Sequence, residues 1–243
     1  MMALLLKEIR SFLSSLIGYV VIGVFLLLTG LFMWIFPGEL NALDNGYANL
    51  DTLFFVAPWV FIFLIPAITM RSFAEEKRTG TLELLLTRPM SDMQIVLAKF
   101  LAGVALVFVS LLPTLVFYWS IGVLGTPAWN LDSGGIWGSY IGLFFLGAGY
   151  VSIGLFASSV TSNQIVSFLV GAFLCFLVYT GPESMASFEA FGAAENFILK
   201  LGMADHYRGM SRGLLDTRDM VYFLCLTGLF LVLTRWAVQR SRS

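Results

Sequence analysis

The stretch EEKRTGTLELLLTRP, residues 75–89, stands between two long apolar runs. It opens with four charged residues and contains a helix-breaking glycine, Gly80. A short leucine-rich segment follows and is closed by Arg88 and Pro89. Any fold proposed for this chain must explain why charge and leucine are concentrated at this one place.

The composition of the 243 residues is that of a membrane protein. Hydrophobic residues make up 58% of the chain and charged residues 12%, whereas soluble domains carry about 25% charged residues. The mean hydropathy is +0.88. A helix needs about 20 mostly apolar residues to cross roughly 30 Å of hydrocarbon. The sequence therefore predicts an all-α membrane protein with six transmembrane helices, at 16–36, 52–70, 100–124, 137–160, 165–181 and 220–234.

The distribution of Lys and Arg predicts how these helices are oriented, because cytoplasmic connections are enriched in both residues. With the N-terminus inside, the inner segments hold ten Lys and Arg residues and the outer segments hold four. The first two outer connections, 37–51 and 125–136, contain none. Both termini and residues 71–99 are therefore predicted to lie in the cytoplasm.

The N-terminal segment 1–15, MMALLLKEIRSFLSS, has an amphipathic pattern. Lys7, Glu8 and Ser11 share one helical face, and most of the apolar side chains lie opposite. This pattern favours a helix lying in the membrane interface. A positively charged flank of the first span is the alternative.

Residues 71–99 are predicted to form a helix, a break, a short cross-helix, a second break and a further helix. Thr81 is the expected N-cap of the cross-helix, Pro89 ends it, and Ser91 with Asp92 begins the next helix. A helix of about eight residues is not stable alone in water, so another surface must pack on its leucines. The protein's own membrane surface and a soluble partner are both open, and the charged rim around an apolar centre favours the partner.

Small residues and proline mark two features of the spans. Gly138 and Gly142 have the GxxxG spacing that lets another helix approach closely, either within the chain or at a dimer seam. Pro66 and Pro113 permit kinks in the second and third spans.

The long outer connection, 182–219, carries aromatic and aliphatic residues at near-helical spacing. This spacing predicts one or two short helices at the outer surface. Asp216 is expected to cap the last span, with Asp219 in a capping-box-like position. The polar residues here could contact lipid headgroups or an anionic substrate, or could form a salt-bridged collar: His206, Arg208, Arg212, Asp216, Arg218 and Asp219.

The sequence lacks the residues that would let this chain drive transport by itself. No ionisable residue lies in the core of a predicted span, where ion-coupled carriers place Asp, Glu, His, Lys or Arg. No lysine follows a glycine, which excludes a phosphate-binding loop of the Gly-Lys-Ser/Thr type. The chain has a single histidine, and its two cysteines lie within apolar runs, so the sequence does not suggest a metal site. We expect no catalytic residue, metal or cofactor in this chain.

The segment RSFAEEKRTGTLELLLTRPMSDMQIVLAKFLAG, residues 71–103, resembles the signature of type-2 ABC exporter permeases. The subgroup it resembles is that of the gliding-motility-type permeases, which are related to the permease of nitrous oxide reductase maturation. Residues 206–224, HYRGMSRGLLDTRDMVYFL, resemble the same subgroup near its last span. The likeness covers one permease domain, 1–243, with its elements in order. Ala98 stands where glycine is expected in many relatives.

The resemblance implies a subunit of the bacterial inner membrane that exports a substrate or performs mechanical work. Two permease chains, identical or similar, would pair, and each would dock a separate subunit that binds ATP and Mg²⁺. An accessory periplasmic or membrane protein and membrane lipid are further candidate partners, and nucleic acid is not expected. The short cross-helix would be the coupling helix, which gives these docking residues: Glu75, Glu76, Lys77, Arg78, Gly80, Thr81, Leu82, Glu83, Leu84, Leu85, Leu86 and Pro89.

Two other functions remain open from the residues alone. A passive channel or secondary carrier would act without ATP, although the leucine-rich segment would then have no assigned role. A membrane anchor would hold a surface or motility complex in place without moving a solute.

Overall fold

The computed structural model describes residues 1–81, 90–186 and 195–240. Within these ranges the chain forms α-helices and one 3₁₀ turn, Leu112–Thr114, and no strand, as the sequence predicts. The helices are α1 (Met2–Leu13), α2 (Leu16–Trp34), α3 (Asp51–Thr69), α4 (Arg71–Arg78), α5 (Asp92–Leu111), α6 (Leu115–Leu124), α7 (Ser133–Val160), α8 (Gln164–Ala186), α9 (Glu195–Leu199), α10 (Met203–Met210) and α11 (Thr217–Arg240).

Five stretches of helix in the described residues are long and apolar enough to cross a membrane: Asp51–Arg78, Asp92–Leu124, Ser133–Val160, Gln164–Ala186 and Thr217–Arg240. α1 and α2 are bent by 63° relative to each other and give a sixth span if they are counted together. The protein is therefore a multi-pass membrane protein with five or six spans. Most observed helices extend beyond the predicted apolar runs, because helices continue into the polar regions on either side of the hydrocarbon.

α7 is the central helix of the bundle and packs against α3, α5, α8 and α11. A Cβ added at Gly138 would lie 2.8 Å from the Gly213 Cα, and one at Gly142 would lie 2.7 Å from the Met210 Cβ. Both glycines of the GxxxG pair therefore pack against the segment that leads into α11. Packing within the chain accounts for this spacing.

The third predicted span is interrupted, as Pro113 suggested. α5 ends at Leu111, and the 3₁₀ turn contains the proline, which cannot donate a helical hydrogen bond. The Thr114 hydroxyl lies 3.0 Å from the Tyr140 hydroxyl of α7, which anchors the turn to the central helix. α6 then continues the span.

The two ends of the bundle carry different structures. At one end, here called the α4 end, α1 packs on α5 and α4 packs on α7. At the other, the α10 end, the Tyr207 hydroxyl donates to the Phe54 carbonyl near the start of α3, at 2.7 Å. The Ser139 hydroxyl donates to the Ser211 carbonyl at 2.8 Å. α10 is therefore fixed to the ends of α3 and α7.

The outward face of α8 is apolar. Ile165, Leu169 and Phe173 recur every four residues along the helix, and all three side chains are exposed. An apolar stripe of this kind is covered by lipid or by another chain in a membrane protein.

Candidate functional site

The junction between α3 and α4 is held by a serine of α7. Met70, four residues after Pro66, forms a one-residue turn between α3 and α4. The Phe73 and Ala74 amides donate to the Ser158 Oγ at 3.0 and 3.1 Å, and this hydroxyl donates to the Met70 carbonyl at 3.0 Å. One buried side chain thus satisfies three backbone groups at the start of α4.

A lysine makes the second contact between α4 and α7. The Lys77 Nζ donates to the Ser159 carbonyl, which lies in the last turn of α7. Carbonyl groups in the last turn of a helix have no intrahelical partner, and a positive charge there also suits the helix dipole. α4 is therefore attached to the end of α7 at two points, one turn apart along α4.

Lys99 of α5 is buried in an ion network with two other helices. Its side chain is 1% exposed, and its Nζ lies 2.8 Å from the Glu76 Oε1 and 3.2 Å from the Glu8 Oε1. The third Nζ proton is donated to the Ser72 carbonyl at 2.7 Å. An ammonium group has three donors, and all three are used here. The network joins α1, α4 and α5.

A second lysine, Lys7, lies at the exposed edge of this network and balances its negative charge. The Lys7 Nζ lies 3.5 Å from the Glu8 Oε1 and 3.9 Å from the Glu76 Oε1, and its side chain is largely exposed. Two lysines and two carboxylates therefore lie together with no net charge. The Glu76 Oε2 is buried without a hydrogen-bond partner in the described part of the chain. Removing Lys99 would leave carboxylates at a poorly solvated site without their main cation.

The predicted docking residues fall partly within the described chain. Glu75, Glu76, Lys77 and Arg78 lie on α4, and Gly80 has a φ of +70°, which confirms the break predicted there. Ser91 caps α5 and forms a capping box with Gln94, as expected for a restart of the helix at this position. Residues 82–89 lie outside the described residues, and with them the predicted cross-helix: Leu82, Glu83, Leu84, Leu85, Leu86 and Pro89.

Three residues of this site were not singled out from the sequence. From the sequence, Lys99 is expected as an inner-side charge before the third span and Glu8 as part of an interfacial face, and no role is predicted for Ser158. The position of Lys99 within the run IVLAKFLAG was the available signal, because a lysine between apolar residues is seldom buried without a partner. Nothing local distinguishes Ser158 from its neighbour Ser159.

Replacing Ser158 with alanine is expected to lower the free energy of unfolding by about 1–3 kcal/mol, since the Phe73 and Ala74 amides would lose their acceptor in a buried place. Heat unfolding of the purified chain in detergent measures the change. Ser159→Ala is the matched control, because the Ser159 contact to Lys77 uses the backbone carbonyl. Equal stability of the two variants would contradict the role given to the Ser158 hydroxyl.

Three of the outer residues predicted from sequence form pairs. The His206 Nδ1 lies 2.6 Å from the Asp219 Oδ1, and its Nε2 lies 2.9 Å from the Lys200 carbonyl. The His206 ring also stacks on Tyr222 with ring centroids 4.0 Å apart. Arg208 donates to the Glu183 Oε1 at 2.5 Å, and this hydrogen bond raises the pKa of the guanidinium above its ordinary value. These contacts agree with the salt-bridged collar, which is one of the alternatives that the sequence leaves open for the outer connection.

Of the remaining outer residues, Asp216 caps α11, and two arginines have no ionic partner among the described residues. The Asp216 Oδ1 accepts from the Arg218 amide at 2.9 Å, which confirms the expected cap of α11. The capping-box role of Asp219 is wrong, because its carboxylate binds His206 instead. In the described residues, the Arg212 and Arg218 side chains make no ion pair. Their contact with headgroups or an anionic substrate stays a prediction.

One comparison with known proteins gives a match. The model of a family described as ABC-2 family transporter protein matches residues 41–198. The matched region is more than half of the 243 residues and includes α4, Lys99 and Ser158. None of the curated proteins compared with the chain matches it.

Proposed function

Because this chain belongs to the ABC-2 transporter family, we propose that ATP hydrolysis by its partner subunit drives movement of α4 and, through α4, of the membrane bundle. The family makes the chain the transmembrane component of an ABC transporter, which works beside an ABC ATP-binding subunit. ATP and Mg²⁺ would be held by that partner. The chain would supply only the docking element and the moving helices.

The observation that carries this proposal is the anchoring of α4. Ser158 and Lys77 fix α4 to the central helix, and Lys99 fixes it to α1 and α5. A displacement of α4 would therefore reach three helices, α1, α5 and α7. Residues 80–86 would be the coupling helix that the ATP-binding subunit grips, with Pro89 as its end.

The orientation and assembly follow as parts of the same proposal. The ten inner and four outer Lys and Arg residues support a cytoplasmic α4 end in a bacterial inner membrane. The exposed apolar stripe of α8 supports pairing with a second permease chain. The likeness of residues 206–224 supports the gliding-motility-type subgroup, in which ATP would drive export or mechanical work.

Cross-linking from Thr81 tests where the ATP-binding subunit docks. Thr81 is exposed and lies three residues after the end of α4, as the last described residue before 82–89. In a chain whose Cys175 and Cys225 are replaced by alanine, a photo-cross-linker on Thr81→Cys is expected to capture the co-expressed ATP-binding subunit. The same reagent on Leu214→Cys, which is exposed at the α10 end, should not capture it. Capture from Leu214→Cys alone would place docking at the wrong end and overturn the proposal.

A further inference from the structure

A cleft of about 420 Å³ opens at the α4 end between α1, the end of α3, α4 and α5. Lys7, Ser11 and Ser15 of the N-terminal segment line one side of this cleft. Arg71 and Glu75 of α4 line it as well. The polar face of the amphipathic α1 therefore borders a cavity shared with a second polar helix.

The cleft also has an apolar part. Phe12, Ile68 and Leu106 line it, together with Ala67 and Ala102. Ile68 lies in the last turn of α3 and Leu106 in the second half of α5, and both helices are parts of candidate membrane spans. A cavity that joins a charged region to the apolar side of two spans is suited to an amphiphile.

Two charges that line the cleft have no ionic partner among the residues that the structure describes. Glu8 and Glu76 both bind Lys99. In contrast, the Arg71 and Glu75 side chains make no ion pair or hydrogen bond in the described residues. They lie one helical turn apart, with the arginine first, which is the less favourable order for an ion pair along a helix. One cation and one anion are thus available side by side.

We propose that this cleft binds a phospholipid with an ethanolamine headgroup. Its phosphate would meet the Arg71 guanidinium, and its ammonium would meet the Glu75 carboxylate. Only two carbons separate the phosphate ester oxygen from the ammonium nitrogen, so one helical turn of α4 can serve both groups. Arginine pairs well with phosphate oxygens, and a primary ammonium donates hydrogen bonds to a carboxylate. The acyl chains would follow Ile68 and Leu106 into the membrane.

The charge pattern distinguishes this lipid from other bilayer lipids. A phosphatidylglycerol would offer a phosphate but no cation, and Glu75 would remain without a partner. A phosphatidylcholine has a quaternary ammonium with no N–H donor, so its hydrogen bond to Glu75 is lost. The bound headgroup would lie on α4 beside the Lys99 network, whether or not the ATP-binding subunit is present.

Native mass spectrometry of the purified chain tests this site. The chain is exchanged into an equimolar mixture of phosphatidylethanolamine, phosphatidylglycerol and phosphatidylcholine with identical acyl chains. The wild type is expected to retain phosphatidylethanolamine about tenfold over the other two, as one charge-assisted hydrogen bond allows. Glu75→Gln should remove this preference, because it removes the acceptor of the ammonium. Arg71→Gln should instead lower the retention of all three lipids, because each of them carries the phosphate.

Arg78→Gln is the matched control, since Arg78 is an exposed cation on the same helix and does not line the cleft. It should keep the wild-type preference. Elution of each variant at the wild-type volume shows that the chain is folded. Equal retention of the three lipids, a preference for phosphatidylglycerol, or an equal loss in Arg78→Gln would overturn the proposal.

Discussion

Replacing Lys99 with methionine is expected to lower the free energy of unfolding by about 3–5 kcal/mol, the usual cost of removing one partner of a buried ion pair. The Glu76 and Glu8 carboxylates would lose the ammonium that now lies 2.8 and 3.2 Å away. Methionine is close to lysine in length, so the loss of charge dominates over any cavity. Heat unfolding of the purified chain in detergent, followed by tryptophan fluorescence, measures the change.

Two further variants separate charge from packing in this network. Lys7→Met removes a cation whose side chain is 62% exposed, and its effect should stay below about 1 kcal/mol. Adding Glu76→Met to Lys99→Met should recover at least half of the lost stability, because replacing both partners with apolar side chains leaves fewer unpaired charges. A Lys99→Met variant as stable as the wild type would contradict the buried network.

The spans could be predicted because their signal is local. An apolar run of about 20 residues reflects the thickness of the bilayer and needs no knowledge of its neighbours. The ends were less accurate, since polar residues can continue a helix beyond the hydrocarbon. The last span was predicted to end at residue 234, whereas α11 continues to Arg240, and Gln239 there donates to the Asp92 carboxylate at 3.0 Å.

The contacts that fix α4 could not be predicted, because they join distant parts of the chain. Lys99 is 91 residues from Glu8 and 23 residues from Glu76. Ser158 is 85 residues from Phe73. A lysine at the edge of an apolar run can face water, lipid headgroups or a carboxylate, and its local sequence is the same in each case. Only the packing of α1 and α4 on α5 selects the third arrangement.

Asp219 shows how a correct local rule can be overridden by a tertiary contact. Its position three residues after Asp216 fits a capping box, in which it would turn back to the start of α11. The structure instead places His206 of α10 at 2.6 Å from its carboxylate. The hydrogen bond to His206 joins α10 to α11, so this contact between helices replaces the local one. The sequence did predict that both residues belong to the outer connection, but not that they contact each other.

Replacing Leu84 and Leu85 together with aspartate is expected to reduce co-purification of the ATP-binding subunit by about tenfold or more and to abolish stimulated ATP hydrolysis. Apolar anchors at the centre of an interface carry much of its binding energy, and a carboxylate there would be desolvated without a partner. Pull-down of the co-expressed subunit and the ATPase rate of the purified complex measure the two effects. Leu214→Asp with Leu215→Asp is the matched control, since these adjacent leucines are exposed at the α10 end.

The Leu84→Asp, Leu85→Asp double variant also distinguishes the two surfaces on which the leucines could pack, the protein's own membrane surface and the ATP-binding subunit. If residues 82–86 pack on the protein's own membrane surface, Leu84→Asp with Leu85→Asp should lower the unfolding temperature and leave association with the ATP-binding subunit unchanged. If the leucines dock the partner, association should fall while the isolated chain unfolds at the wild-type temperature. Lys99→Met is the internal reference, because its loss of stability does not depend on the partner. A variant that loses association without losing stability would therefore identify the leucine-rich segment as the place where ATP hydrolysis acts on the membrane helices.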